Sequence, residues 1–178
     1  MILHNTGFKN LILIENEIIS DNRGHFIEVF RNNLVNENID YEFNILQENE
    51  VVSKKNVLRG LHFQKAPFEQ SKLIRVIDGK ILDVVVDLRK KSNTYGKAYS
   101  IELSSDNGKI LFIPKGFAHG YLVKSDYCRV IYSVDNYYNL LKQDGIAYND
   151  PILNIDWGIS TQELILSARD QRLKNYDW

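Results

Sequence analysis

Apolar residues fall in short, closely spaced runs along the chain. Leu11–Ile14, Phe26–Phe30, Leu73–Ile77, Ile81–Leu88, Ala98–Leu103, Ile110–Ile113 and Arg129–Val134 are each four to eight residues long. They are rich in β-branched and aromatic side chains, the composition of strands. Asp21-Asn22-Arg23-Gly24, Asp78-Gly79 and Asp106-Asn107-Gly108 punctuate them with turn residues. Asp78-Gly79, flanked by apolar runs, predicts a hairpin between its neighbours. Helical signals are few: Asn32–Asn38 reads as one short helix and Ser160–Arg169 as another. Ser160 or Thr161 would cap the latter, with Glu163 in its first turn. Many short strands without long intervening helices disfavour a parallel α/β fold. They predict an all-β antiparallel sandwich or jelly roll, with small helices mainly toward the C-terminus.

Length and composition narrow the class. A chain of 178 residues suits one domain, 1–178, with a sizeable core. Lys plus Arg number 22 and Asp plus Glu 23, a net charge of −1, so no bulk positive charge is available for nucleic acid. The single cysteine, Cys128, can form neither an intrachain disulfide nor a cysteine-based zinc site. No N-terminal run resembles a signal peptide, and no stretch approaches the roughly 18 apolar residues of a membrane span. The expected location is the cytoplasm, with no membrane partner.

Two histidines stand in punctuated settings, Val57-Leu58-Arg59-Gly60-Leu61-His62-Phe63-Gln64 and Ile113-Pro114-Lys115-Gly116-Phe117-Ala118-His119-Gly120. They can be read as core or strand-capping residues, or as parts of a site. Arg59 and Lys72 lie in or near apolar strand sequence, and a buried cation requires an anionic partner, which a bound phosphate or oxyanion would supply. The Pro114-x-Gly116-x-x-His119 segment resembles the second motif of the cupin superfamily. A metal-binding cupin has a second histidine two positions after the first, where this chain has Gln64. That leaves two imidazoles where a metal wants three or four protein ligands, so no metal is expected.

Taken in order, Arg59–Gln64, Lys72–Val76, Asp83–Arg89 and Ile113–Gly120 resemble the dTDP-4-dehydrorhamnose 3,5-epimerase family. Arg23–Phe26, Gln47–Asn49, Tyr132, Asn136–Tyr138, Asn149–Pro151, Ile155–Trp157 and Leu166–Asp170 extend the likeness over residues 7–173. The resemblance implies a cupin-like jelly roll. It implies inversion of the carbons flanking the ketone of a nucleotide-linked 4-keto-6-deoxy sugar, with no cofactor. By position, His62 matches the base, Asp170 the carboxylate orienting it, Tyr132 the acid and Lys72 the cation near the enolate oxygen, with Asp83 as its charge partner. Arg59, His119, Gln47, Asn49, Tyr138, Asp144 and Arg169 match substrate contacts. Arg23 and Glu28 match contacts that the family takes from the N-terminal strand of a partner subunit, which implies a homodimer with exchanged strands. Glu48, Val51 and Asn56 depart from the usual pattern. The residues leave open a dTDP sugar or a GDP-linked 4-keto heptose. Inversion at carbon 3 only, a ketoisomerase and a non-catalytic sugar-binding jelly roll are the rival readings.

Overall fold

The computed structural model describes all residues, 1–178. Its strands are β1 (Ile2–Asn5), β2 (Ile12–Glu15), β3 (Ile18–Asp21), β4 (Gly24–Ile27), β5 (Gln47–Lys54), β6 (Leu58–Gln64), β7 (Lys72–Asp78), β8 (Lys80–Asp87), β9 (Ala98–Ser104), β10 (Lys109–Ile113), β11 (Phe117–Val123), β12 (Tyr127–Val134) and β13 (Gln143–Gly145). A six-stranded sheet runs β1-β2-β10-β7-β12-β5 and a five-stranded sheet β13-β6-β11-β8-β9; β3 and β4 form a separate hairpin. Pairing between these strands is antiparallel throughout, the sandwich that the short apolar runs predict. No helix is long and apolar enough to cross a membrane.

The strands bury both faces. Leu13, Ile74, Val76, Val85, Leu111, Tyr121 and Val130 pack between the sheets. The outer face of the six-stranded sheet carries Ile12, Ile14, Leu73, Ile110 and Phe112, covered by Phe43 and by Val35 of helix α1 (Asn32–Asn36). The outer face of the five-stranded sheet carries Leu58, Leu61, Val84, Val86 and Leu122, covered by Ile146, Trp157 and the C-terminal segment. Burial on both sides explains why these runs are nearly continuous rather than alternating.

Four sequence expectations are corrected. Asp78-Gly79 does not close a hairpin: β7 pairs with β10 and β12, and β8 with β11 and β9. The turn instead carries the chain from one sheet to the other, with Gly79 at φ +80 packed against Tyr127 and Ser125. A glycine turn reverses the chain but does not choose the strands' partners. Ser160–Arg169 is not a helix. Ser160 caps a single 3-10 turn at Thr161–Glu163. Ile165 then bonds to Asn56 and Leu58 at the edge of β6, so tertiary pairing takes the backbone groups a helix would need. The first helix stops at Asn36, where the Asn36 side chain bonds both the N–H and the carbonyl of Phe43. The strand read at Phe26–Phe30 ends at Ile27, and Val29 and Phe30 leave it to pack against the outer cluster around Phe43.

One irregularity sets the site. Tyr121 on β11 faces Arg59 and His119 faces His62, so two steps on β11 match three on β6. Gly60 is the extra residue of this bulge, at φ +118. Strict alternation would put Arg59 and His62 on opposite faces; the bulge puts both on the inner one. A Cβ on Gly60 would lie 2.5 Å from the Gly120 Cα. Gly60→Ala is therefore expected to cost about 2–5 kcal/mol through crowding and backbone strain. Gly24→Ala, at φ +131 but with open space around it, should cost about 1–2 kcal/mol. Urea unfolding of the two variants measures the contrast, and equal losses would contradict it.

Candidate active site

A cavity of about 270 Å³ opens between the sheets. From the five-stranded side it is lined by Arg59, His62, Gln64, His119 and Tyr121, and from the six-stranded side by Val51, Lys72 and Tyr132. Phe63, Gln70, Gly120, Tyr138, Gln143, Ser167, Arg169 and Asp170 complete the wall. Eight residues matched by the resemblance thus converge: His62, Tyr132, Asp170, Lys72, Arg59, His119, Tyr138 and Arg169.

His62 Nε2 lies 2.6 Å from Asp170 Oδ1. Burial alone would push the Asp170 carboxyl up. Hydrogen bonds from His62, Ser167 and the Gly60 N–H outweigh it and hold the group below the usual carboxylate range. An ionised Asp170 accepts from Nε2–H, which leaves Nδ1 of the ring with the lone pair. Asp170 is positioned by the 3-10 turn Asp170–Arg172 and by its own N–H donating to Ser167 Oγ at 3.0 Å.

A second imidazole–carboxylate pair lies beside the first. His119 Nε2 is 2.8 Å from Asp83 Oδ2, and both residues are buried. Burial lowers the His119 pKa, which the charge of Asp83 partly restores. The other Asp83 oxygen has no hydrogen-bond partner. Lys72 sits within the field of this carboxylate, and burial pushes its ammonium down to about 8.

Tyr132 projects from β12 across the cavity. Burial raises its pKa, and the Arg59 guanidinium acts in the opposite direction. The phenol therefore keeps its proton near neutrality. Arg59 itself is held by Nε donating to Ser53 Oγ at 3.0 Å.

At the mouth, the Tyr138 hydroxyl donates to Gln143 Oε1 at 2.6 Å, and Arg169 donates to the same oxygen. The Tyr138 N–H donates to Gln47 Oε1 at 3.2 Å, and Gln47 Nε2 donates to Asn49 Oδ1 at 2.8 Å. Gln47 and Asn49 thus brace the rim rather than line the cavity. Asp144 is turned away and paired with Lys65. Arg23 and Glu28 are exposed on or beside the β3–β4 hairpin, paired with Asp21 and Arg31, and take no part in this chain's cavity. Gln143, Tyr121 and Ser167 line it unforeseen; a lone glutamine or tyrosine in a strand carries no local signal of such a role. No group of three or more His, Cys, Asp or Glu side chains converges in a way that could hold a metal ion.

The sequence profile of the dTDP-4-dehydrorhamnose 3,5-epimerase family matches residues 5–177. An enzyme of that name from Methanothermobacter thermautotrophicus is 44% identical over 170 residues, 95% of this chain and 91% of the relative. The crystal structure of a dTDP-4-dehydrorhamnose 3,5-epimerase from Elizabethkingia anophelis superposes with a TM-score of 0.94 at 38% identity, covering 99% of this chain and 96% of that one. The dTDP-6-deoxy-D-glucose-3,5-epimerase of Legionella pneumophila, in complex with dTDP-4-keto-L-rhamnose, gives 0.91 at 38% identity over 97% and 91%.

The buried ammonium yields a test that needs no substrate. Lys72 titrates near 8 when folded and near 10.5 when unfolded, so near pH 7 its charge opposes folding. Lys72→Met should raise the unfolding free energy at pH 7 by on the order of 1–3 kcal/mol. Between about 8 and 10.5 the unfolded wild-type chain binds the extra proton, so wild-type stability gains with rising pH. The advantage of the variant should shrink across that window in denaturant titrations; an advantage that grows there contradicts the assignment.

Proposed function

Since the chain belongs to the dTDP-4-dehydrorhamnose 3,5-epimerase family, we propose that His62 is the base and Tyr132 the acid of its reaction. The enzyme is an isomerase of a dTDP-linked 4-keto-6-deoxy sugar, inverting carbons 3 and 5. The ketone at carbon 4 acidifies the hydrogens on both neighbours. Inversion requires removal of a proton from one face of the ring and delivery to the other. The observation that supports the assignment is that His62 and Tyr132 line one cavity from opposite sheets.

His62 takes the proton on Nδ1, and the imidazolium so formed is stabilised by Asp170. The negative charge moves to the carbon-4 oxygen, where the Lys72 ammonium stabilises the enolate in a site of low dielectric. Tyr132 delivers a proton to the opposite face, and Arg59 stabilises the phenolate until it is reprotonated. Arg59 and Arg169 also suit the diphosphate, since a guanidinium fork matches phosphate oxygens. Tyr138, held by Gln47 and Gln143, stands at the nucleotide end. None of these steps calls for a metal, and Gln64 occupies the position where a metal-binding cupin supplies a histidine. The buried free thiol of Cys128, its pKa pushed up to about 11, suits a reducing cytoplasm.

The working unit is a dimer. The β3–β4 hairpin pairs with neither sheet and exposes Ile19 and Phe26. It presents Arg23 and Glu28 away from this chain's own cavity, as expected of residues that complete a partner's site.

Two experiments test these assignments. In heavy water, His62→Asn should lose deuterium uptake into the sugar by at least ~10²–10⁴-fold. Tyr132→Phe should still exchange at carbon 3 while forming little inverted product, and Asp170→Asn should fall between the two. Wild-type epimerisation by Tyr132→Phe would sink the assignment of the acid. Arg23→Ala should raise KM more than it lowers kcat, and sedimentation should show a dimer; a fully active monomer contradicts the shared site.

A further inference from the structure

Gln64 is a buried amide, 8% exposed, and neither its Oε1 nor its Nε2 has a hydrogen-bond partner. It lines the cavity. It lies two residues after His62 on β6, and successive side chains of a strand alternate faces, so it shares the inner face with the base. Leu61 is buried in the opposite, outer cluster. Across β13 its partner is Gln143, whose Oε1 already accepts from Tyr138 and Arg169. A buried amide with neither bond made is costly in the free protein, so the site is incomplete without a ligand.

The chemistry of the amide selects the ligand group. A diphosphate or a ketone only accepts, and would leave Oε1 unpaired and facing other oxygens. A hydroxyl both donates and accepts. On the epimerase reading above, on which this inference rests, the substrate offers ring hydroxyls at carbons 2 and 3. The carbon-3 hydroxyl changes orientation when its carbon inverts, whereas the carbon-2 hydroxyl keeps its configuration from substrate to product. An anchor that serves both ends of the reaction fits the second. We propose that Gln64 binds the carbon-2 hydroxyl of the sugar, holding carbon 3 against His62.

The test pairs Gln64→Met, which keeps the length of the side chain and removes both polar atoms, with the natural sugar and its 2-deoxy analogue. Turnover is followed by deuterium uptake, and dTDP affinity by calorimetry. The variant should lose about 10–100-fold in kcat/KM on the natural sugar. The wild type should lose a similar factor on the 2-deoxy sugar, and the variant should lose nothing further there. dTDP affinity should stay within twofold of wild type, and the ligand-free variant should melt no lower. Gln64→Leu provides the same comparison if the methionine variant does not fold. The inference is overturned if kcat/KM stays within twofold on the natural sugar, if the variant's loss is equal on both sugars, or if dTDP affinity falls in step. A wild type that exchanges no deuterium overturns the epimerase reading as well, which separates the two failures.

Discussion

The bulge at Gly60 is the constraint on which the site depends. Without the extra residue, Arg59 and His62 would face opposite sides of β6, and the guanidinium and the imidazole could not share a cavity. The bulge is possible because Gly60 and Gly120 let two backbones approach where no side chain fits. The same bulge faces His62 toward Asp170, whose Oδ1 lies 2.6 Å from the ring Nε2, so one local irregularity sets an imidazole–carboxylate pair and a guanidinium in one cavity.

Around that point the charges are arranged in compensating pairs. Asp170 holds His62 and Asp83 holds His119, while Lys72 stands in the field of Asp83. Both carboxylates are buried. For Asp170, burial alone would favour the neutral form, and the bond to His62 outweighs it. The residue left over is Lys72, whose lowered pKa marks a cation without a full complement of negative charge. On the proposed assignment a developing enolate supplies what is missing, so binding would be strongest when charge appears on the sugar oxygen, which is the requirement for catalysis rather than for tight ground-state binding.

The sandwich serves this chemistry through its two faces. A reaction that moves a proton from one side of a ring to the other needs functional groups on both sides. Two packed sheets provide opposed inner surfaces without a moving part. His62 comes from one and Tyr132 and Lys72 from the other. The apolar core at the far end of the inter-sheet space and the covers on both outer faces hold the sheets apart at a fixed spacing.

By itself the sequence determined the strand content, the absence of long helices and the identities of the chemical groups. Apolar runs of four to eight residues and glycine-marked turns are local signals, and they survive in the folded chain. The ordered motifs around His62, Lys72, His119, Tyr132 and Asp170 pointed to a family and hence to roles. Only the tertiary structure decided which strands pair. Asp78-Gly79 turns a corner between sheets, and Ile165 joins an edge instead of a helix, because partners distant in sequence offer burial and hydrogen bonds that local propensity does not register. It alone brought Asp170 onto His62 across 108 residues. It alone left Gln64 with an unpaired amide. A hydrogen bond, made or missing, is a fact of three-dimensional distance, and linear order does not encode it.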